Sequence, residues 1–383
     1  MGPHHIVRTT TALYPDLIGG HAVHCHDLSL VQARSGHRVD VLTYRRDSAS
    51  PREVVSNSYS VYRLKSVWLP WMAVGLDNPY LPALPTFLRG LGPDIVHAHS
   101  HLFLANLQAI RAAHRLHIPS VLSVHGVMAQ RGNLLNFSQL GYLASIGSWV
   151  INHSSIVLCL TKSDAHDLEK FHLDTARVRI VPNGIYTDHF RPLTENEGTV
   201  LWVGRFVPEK GLDLMLKIAE IVCHENKSAR FFLVGDGPLR SRIDSLVEKM
   251  GLRANVTIFP RMTQSEIATI MGQCSLFIMP SLKEGFPKAI LEAMSCGKPV
   301  VAFDLPGLIE VVSINSSGIL VPRYDTSMFA KTILQLLEDG PHRRTLGDNG
   351  RRAAVEKYDW SVVAKIVDRI YEEALDIGSA TWA

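Results

Sequence analysis

The chain has 383 residues, 46% of them hydrophobic and 20% charged, which is the composition of an ordinary globular protein with room for two domains. Its formal charge of +3 is too mild to argue for nucleic acid as a partner.

Taken in order, His5–Thr10 reads as a first strand, followed by a turn at Gly19–Gly20, a helix over Ala22–Gln32 and a second strand over Val39–Thr43. Val61–Leu64 is a weaker strand. Pro93–His99 is a strand that ends in polar residues, with a helix from about Phe103 to Leu116 behind it. Val121–Val124 carries His125–Gly126 at its end, and Ile156–Leu160 and Val178–Val181 close this half. Strands alternating with helical patterns imply a parallel sheet covered on both faces.

The polar stretch Leu193–Gly198 reads as a linker, which sets the expected domains at residues 1–192 and 193–359. Beyond it the pattern restarts, with strands at Val200–Val203, Phe231–Val234, Val256–Phe259, Leu276–Met279 and Val300–Phe303. Trp360–Leu375 has helical spacing. A terminal helix over residues 360–378 either packs back on the first domain or is a core helix of the second. Two doubly wound domains would leave a cleft into which both sets of strand C-termini can point. Ser66–Pro85 and Val127–Val150 depart from the pattern. Ordinary loop packing is expected of them, with contact to an acceptor or a membrane surface as the alternative.

The five cysteines (Cys25, Cys159, Cys223, Cys274 and Cys296) are odd in number and contain no C-x-x-C pair. That argues against a disulfide framework or a cysteine zinc site and for a reducing, cytoplasmic compartment. Arg8–Thr11 interrupts the apolar N-terminus, and no uninterrupted apolar run approaches the roughly 18 residues of a spanning helix. Peripheral attachment at the inner membrane face stays open.

The stretch that organises the second half is Ser275–Asp304. In it Glu284 and Glu292 bracket a short helix, with Pro287 expected at its first position and Gly297 in the left-handed position past its end. The amides of Phe286 to Ala289 and the positive helix end favour phosphate or another anion. GRFVPEKG (Gly204–Gly211) is neither a dinucleotide fingerprint nor a P-loop, yet it sets Arg205 and Lys210 on a loop at the sheet's carboxyl edge. Together they would neutralise a diphosphate without a metal. In VGDGP, Gly235 and Gly237 permit close backbone approach, and Arg261 and Met262 could offer backbone atoms to a base edge. His97, His99 and His101 raise the question of a metal cluster, but no metal site is expected. His24 and His26 stand two apart on a helix, the wrong spacing to share a face. Glu292 read alone could be an exposed residue flanking the apolar stripe of its helix.

These motifs together resemble the retaining, nucleotide-sugar-dependent glycosyltransferases of the GT-B fold, family 4. The resemblance rests on E-x7-E (Glu284, Glu292), GR-x4-KG (Arg205, Lys210), VGDGP, PNG (Pro182–Gly184), His125–Gly126 and PDIVHAHS. It implies a GT-B fold, two Rossmann-like domains facing each other across a cleft. It also implies that Arg205 and Lys210 bind the donor diphosphate, that Glu292 accepts hydrogen bonds from the ribose and that Glu284 contacts the donor sugar, with the stretch Gly285, Phe286, Pro287, Lys288 and Ala289 and its free backbone N–H groups nearby. His125 would face the reacting sugar, and Gly19–Gly20 would lie near the donor phosphates. Departures stand at Tyr186, at Pro306 and in EGFPK, and they bear on contacts to the donor sugar.

The expected reaction is metal-independent transfer of a sugar from a UDP- or GDP-sugar to a hydroxyl of a glycan, lipid-linked or small-molecule acceptor. It passes through an oxocarbenium-like state while charge builds on the leaving phosphate. No cofactor is expected. The alternatives are a UDP-sugar epimerase of the same fold and a non-catalytic nucleotide-sugar binder.

Overall fold

The computed structural model describes residues 2–11, 13–16, 20–46, 49–68, 78–126, 140–169 and 175–382. The chain divides into two compact units, Met1–Asn183 with Trp360–Ala383, and Gly184–Asp359.

The N-terminal unit runs β1 (His5–Thr9), α1 (Gly20–Arg34), β2 (Arg38–Tyr44), β3 (Arg52–Val55), β4 (Tyr59–Leu64), α2 (Leu84–Leu91), β5 (Ile95–His99), α3 (Leu104–Leu116), β6 (Ser120–Val124), α4 (Ser148–Asn152), β7 (Ile156–Cys159), α5 (Lys162–Glu169) and β8 (Val178–Ile180). Its sheet has the order β3-β4-β2-β1-β5-β6-β7-β8. All pairs are parallel except β3 with β4. The central strands are buried on both faces, which is why they read as continuous apolar runs. β3 was not expected. It joins β4 through a tight turn in which Ser56 and Asn57 both take positive φ, 49° and 51°, and Ser58 N–H donates to the Val55 carbonyl. That is a type I′-like turn within a three-residue loop, on an exposed edge.

The C-terminal unit runs β9 (Thr199–Val203), α6 (Leu212–Glu225), β10 (Arg230–Val234), α7 (Arg240–Lys249), β11 (Val256–Phe259), α8 (Gln264–Gln273), β12 (Leu276–Met279), α9 (Lys288–Ser295), β13 (Val300–Phe303), β14 (Gly318–Val321), α10 (Thr326–Glu338) and α11 (Gly340–Ala353). Its six strands are all parallel, in the order β11-β10-β9-β12-β13-β14. Trp202, Phe206, Phe231, Phe303 and Phe329 fill the core between this sheet and its helices.

The boundary lies between Asn183 and Gly184 rather than at residue 192, and Leu193–Gly198 is no free linker. Ile185 N–H donates to the Tyr358 carbonyl, the Ser295 hydroxyl donates to the Phe190 carbonyl, and Glu195 pairs with Arg343 at 2.7 Å. These bonds fasten the whole stretch to the C-terminal unit. The last helix, α12 (Trp360–Trp382), belongs to the N-terminal unit and is not a core helix of the second. Its buried face carries Trp360, Val363, Val367, Ile370 and Tyr371. Tyr371 accepts from the buried Arg8 guanidinium at 3.2 Å, and Glu372 meets His4 at 3.0 Å. Among the described residues no helix is long and apolar enough to cross a membrane.

Candidate active site

In a parallel sheet every strand C-terminus opens on the same edge, and ligands collect where the strand order reverses. In the C-terminal unit the chain moves outward from β9 to β10 and β11, then restarts at β12 on the other flank of β9. The loops after β9 and β12 are therefore the switch-point pair, and they carry Arg205, Lys210 and Glu284.

Three close backbone contacts set those loops. Gly211 has φ 65°, and a Cβ there would stand 2.0 Å from the Pro280 carbonyl oxygen, so the β9 loop lies directly on the β12 loop. Leu282 N–H donates to the Glu209 carbonyl at 2.8 Å across the same seam. On the other side, Gly235 (φ 144°) would place a Cβ 1.9 Å from the Gly204 carbonyl oxygen, and Gly237 (φ 153°) would place one 2.7 Å from that of Phe206. Phe206 N–H donates to the Asp236 carbonyl at 2.8 Å, and Leu239 N–H donates to Phe206 at 3.0 Å. The close approach that Gly235 and Gly237 allow is thus to the Arg205-bearing loop itself.

On this frame the Lys210 ammonium reaches Glu284 Oε1 at 2.6 Å across the switch point. Glu284 is 9% exposed and Lys210 21%, so the pair is partly dried and anchored. Lys210 has three donors, and the Glu284 carboxylate is the one acceptor bonded to it among the described residues. Arg205, next along the edge, is exposed, and its guanidinium has no carboxylate partner among the described residues.

Behind Glu284, α9 starts at Lys288. Pro287 (φ −74°, ψ 122°) is its extended N-cap, one place ahead of the expected first helical position. The end matches expectation. Gly297 (φ 66°) donates to the Met294 carbonyl and Lys298 to that of Ala293, the paired bonds of a Schellman cap. Glu292, one turn into α9, is only 7% exposed, which overturns its reading as a surface residue. Phe286 is buried against Tyr358, with ring centroids 6.0 Å apart, while Gly285 and Ala289 stay partly open to solvent. Arg261 is exposed and Met262 half-buried after the edge strand β11, about 14 Å from β12 at three strand spacings.

Gly307 is a supporting residue that sequence reasoning missed. A Cβ there would stand 2.1 Å from the Gly285 carbonyl oxygen, so the turn after β13 braces the loop after Glu284. Gly307→Ala is expected to lose about 2 kcal/mol by overpacking, read as a lower urea midpoint. An unchanged midpoint would mean that the brace is slack.

In the N-terminal unit Gly20 is the exposed first residue of α1, and Gly19 lies outside the described residues. The two unusual loop segments also lie partly outside them, at residues 69–77 and 127–139. His125 follows β6, and its Nε2 meets Nδ1 of His99 at 3.2 Å. Burial first, then the neighbouring His24 and His21, hold its pKa well below 6.5, so it is a neutral imidazole at pH 7. His97 and His99 stack at 4.4 Å on one face of β5. Arg8 can only donate to Tyr371, so the tyrosine hydroxyl donates to His97 Nδ1 at 2.7 Å, and His97 Nε2–H donates to Ser123 at 2.8 Å.

Burial, followed by the Arg8 charge for His97 and by His97 and His125 for His99, lowers both pKa values well below 6.5. The unfolded chain therefore takes up protons first as the medium is acidified. Stability is intact above pH 6.5 and should fall as the pH is lowered from 7 to 5.5, because the unfolded chain binds protons that these two buried groups do not. Urea midpoints measured across that range check this, and a flat profile would contradict it.

The fold is that of solved glycosyltransferase-type structures. The sucrose-phosphate synthase of Thermosynechococcus elongatus aligns over 97% of this chain and 98% of its own, with a TM-score of 0.80 at 21% identity. Anabaena HepE, solved in complex with UDP, aligns over 96% of this chain and all of its own, with a TM-score of 0.77 at 18% identity. Two Rossmann-like units of this kind are the GT-B fold. Residues 18–189 match the model described as Glycosyltransferase Family 4, and residues 187–353 match that of Glycosyl transferases group 1. The D-inositol 3-phosphate glycosyltransferase of Mycobacteroides abscessus is 31% identical over 390 residues, spanning 93% of this chain and 85% of that protein. An uncharacterized glycosyltransferase of Methanocaldococcus jannaschii is 27% identical over 372 residues, covering 95% and 97% of the two chains. The chain belongs to glycosyltransferase family 4.

Proposed function

We propose that this glycosyltransferase moves a sugar, with retention of anomeric configuration, from a nucleoside diphosphate sugar to a hydroxyl of a polyol, glycan or lipid-linked acceptor. The observation that carries the reading is the Lys210–Glu284 pair, fixed at 2.6 Å across the switch point beside the exposed Arg205 and the start of α9. Two cations and a helix N-terminus supply the positive charge that a departing diphosphate needs, without requiring a metal for that purpose. Glu284 holds the lysine and presents its carboxylate to the donor sugar, and the buried Glu292 takes the ribose hydroxyls. The edge from β12 to β11 gives the nucleoside a surface that ends at Arg261 and Met262. From the N-terminal unit the reading takes His125, a neutral imidazole at the end of β6, as a hydrogen-bond partner for a sugar hydroxyl.

UDP-sugars are the first donors to test, because HepE was solved with UDP. Inositol phosphate and phosphatidylinositol are the first acceptors. Relatives named for D-inositol 3-phosphate and for phosphatidylinositol, the latter in Arabidopsis thaliana, share that ring. The test is a panel of labelled UDP- and GDP-sugars with these acceptors, with and without EDTA, and the product anomer read by NMR. Transfer with retention, unaffected by EDTA, is expected. Nucleotide release with no donor in the panel, or an inverted product, would overturn the reading.

A further inference from the structure

The N-terminal unit gathers more histidines than the transfer reading uses, since that reading takes His125 alone. His24 on α1, His99 at the end of β5 and His125 after β6 bring ring nitrogens within 4.8 Å of one another. We propose that these three imidazoles form a binding site for a divalent transition metal ion of the zinc type, with its fourth position open.

The geometry is close to what such an ion needs. Ring centroids stand 4.9 Å apart for His24 and His125, 5.5 Å for His99 and His125, and 5.8 Å for His24 and His99. Three imidazoles on a tetrahedral ion, with metal–nitrogen bonds of about 2.05 Å, hold their centroids about 5 Å apart and their bound nitrogens about 3.3 Å apart. The His99 Nδ1–His125 Nε2 separation is 3.2 Å. Small ring rotations exchange that single neutral hydrogen bond for two metal bonds.

The donors are prepared for the ion. His24 Nδ1 meets the amide oxygen of Asn183 at 2.9 Å, and an amide oxygen only accepts, so the proton sits on Nδ1 and the lone pair on Nε2. An outer hydrogen bond of this kind is how metal-binding imidazoles are oriented. Among the described residues no carboxylate or thiol joins the set, and neutral imidazoles prefer zinc, copper, nickel or cobalt over magnesium or calcium. His26, two residues from His24, turns instead to the Tyr59 hydroxyl at 2.7 Å. Asn183, in the PNG motif that the transfer reading left without a role, thereby acquires one. An ion bound here occupies His125, so zinc is expected to inhibit transfer; that consequence, unlike the binding itself, rests on the proposed function.

The test titrates the untagged full-length protein with Co2+, followed by visible absorption, and then with Zn2+. One strongly absorbing four- or five-coordinate Co2+ per chain is expected, displaced by one equivalent of Zn2+. Asn183→Ala should weaken binding by about 10–100-fold. His24→Ala should abolish the bands, and His26→Ala should keep them. Weak six-coordinate spectra from wild type, or bands that persist in His24→Ala, would overturn the site. If His24→Ala is misfolded by circular dichroism, Asn183→Ala decides, and wild-type affinity in that variant counts against the site. These are binding readouts, so a protein that transfers no tested sugar can still pass or fail them.

Discussion

Lys210→Ala is expected to lower kcat/KM for sugar transfer by at least about a hundredfold, or roughly 3 kcal/mol of transition-state stabilisation. The ammonium is positioned before any donor arrives. Glu284 holds it at 2.6 Å, and the loops that carry the two residues touch backbone to backbone at Gly211 and Pro280. A charge held in this way loses little orientational freedom when the diphosphate begins to leave, which is when negative charge grows. The loss should therefore fall mainly on kcat. Lys210→Arg should rescue poorly, because a planar fork cannot take the place of a compact ammonium against Glu284. Because the two side chains bond to each other, Lys210→Ala and Glu284→Gln should be strongly non-additive when combined. Steady-state kinetics with the best donor of the panel measures all of this. A Lys210→Ala enzyme within threefold of wild type would remove Lys210 from leaving-group stabilisation.

Strands of the two sheets were legible where both faces are buried, because Val200–Val203 or Leu276–Met279 can be apolar at every position. The site motifs were legible for the same reason, since each follows one of those runs at the sheet's carboxyl edge. Two edge elements, β3 and β14, were not. β3 is the exposed stretch Arg52–Val55, and its turn uses Ser56–Asn57 where a hairpin is usually signalled by Asn-Gly. β14 is a half-buried edge strand that begins with a glycine, Gly318. The boundary was misplaced because Leu193–Gly198 has the composition of a linker while its backbone is bonded into the second unit, as at Leu193 N–H to the Gly272 carbonyl. The histidine triad was invisible for a different reason. β1, β5 and β6 are neighbours only through the crossovers of the sheet, so His24, His99, His125 and Asn183 carry no shared local spacing. The row His97, His99 and His101 shares only His99 with that triad.

The second large effect is expected from Gly235→Ala, a change of one methyl group. Two costs coincide there. At φ 144° a residue with a Cβ is strained by about 1–3 kcal/mol, and the new methyl would stand 1.9 Å from the Gly204 carbonyl oxygen, a distance no contact tolerates. The neighbour is backbone, so a side-chain rotation cannot relieve the clash. Either the β10 loop or the β9 loop must move, and the β9 loop carries Arg205 and, past one short turn, Lys210. Combined strain and overpacking of about 4 kcal/mol would consume a large share of a typical domain's stability. What survives should bind nucleotide poorly, because the cations are displaced together. Asp236→Ala, between the two glycines, keeps the backbone bond to Phe206 and loses only the exposed bond from Gly237 N–H to its carboxylate at 2.8 Å, so its stability should stay within about 1 kcal/mol of wild type. Urea unfolding and UDP titration of the two variants separate the outcomes. Gly235→Ala with wild-type stability and UDP affinity would mean that the two loops are not locked together, and the preorganisation assigned to Lys210 would lose its foundation.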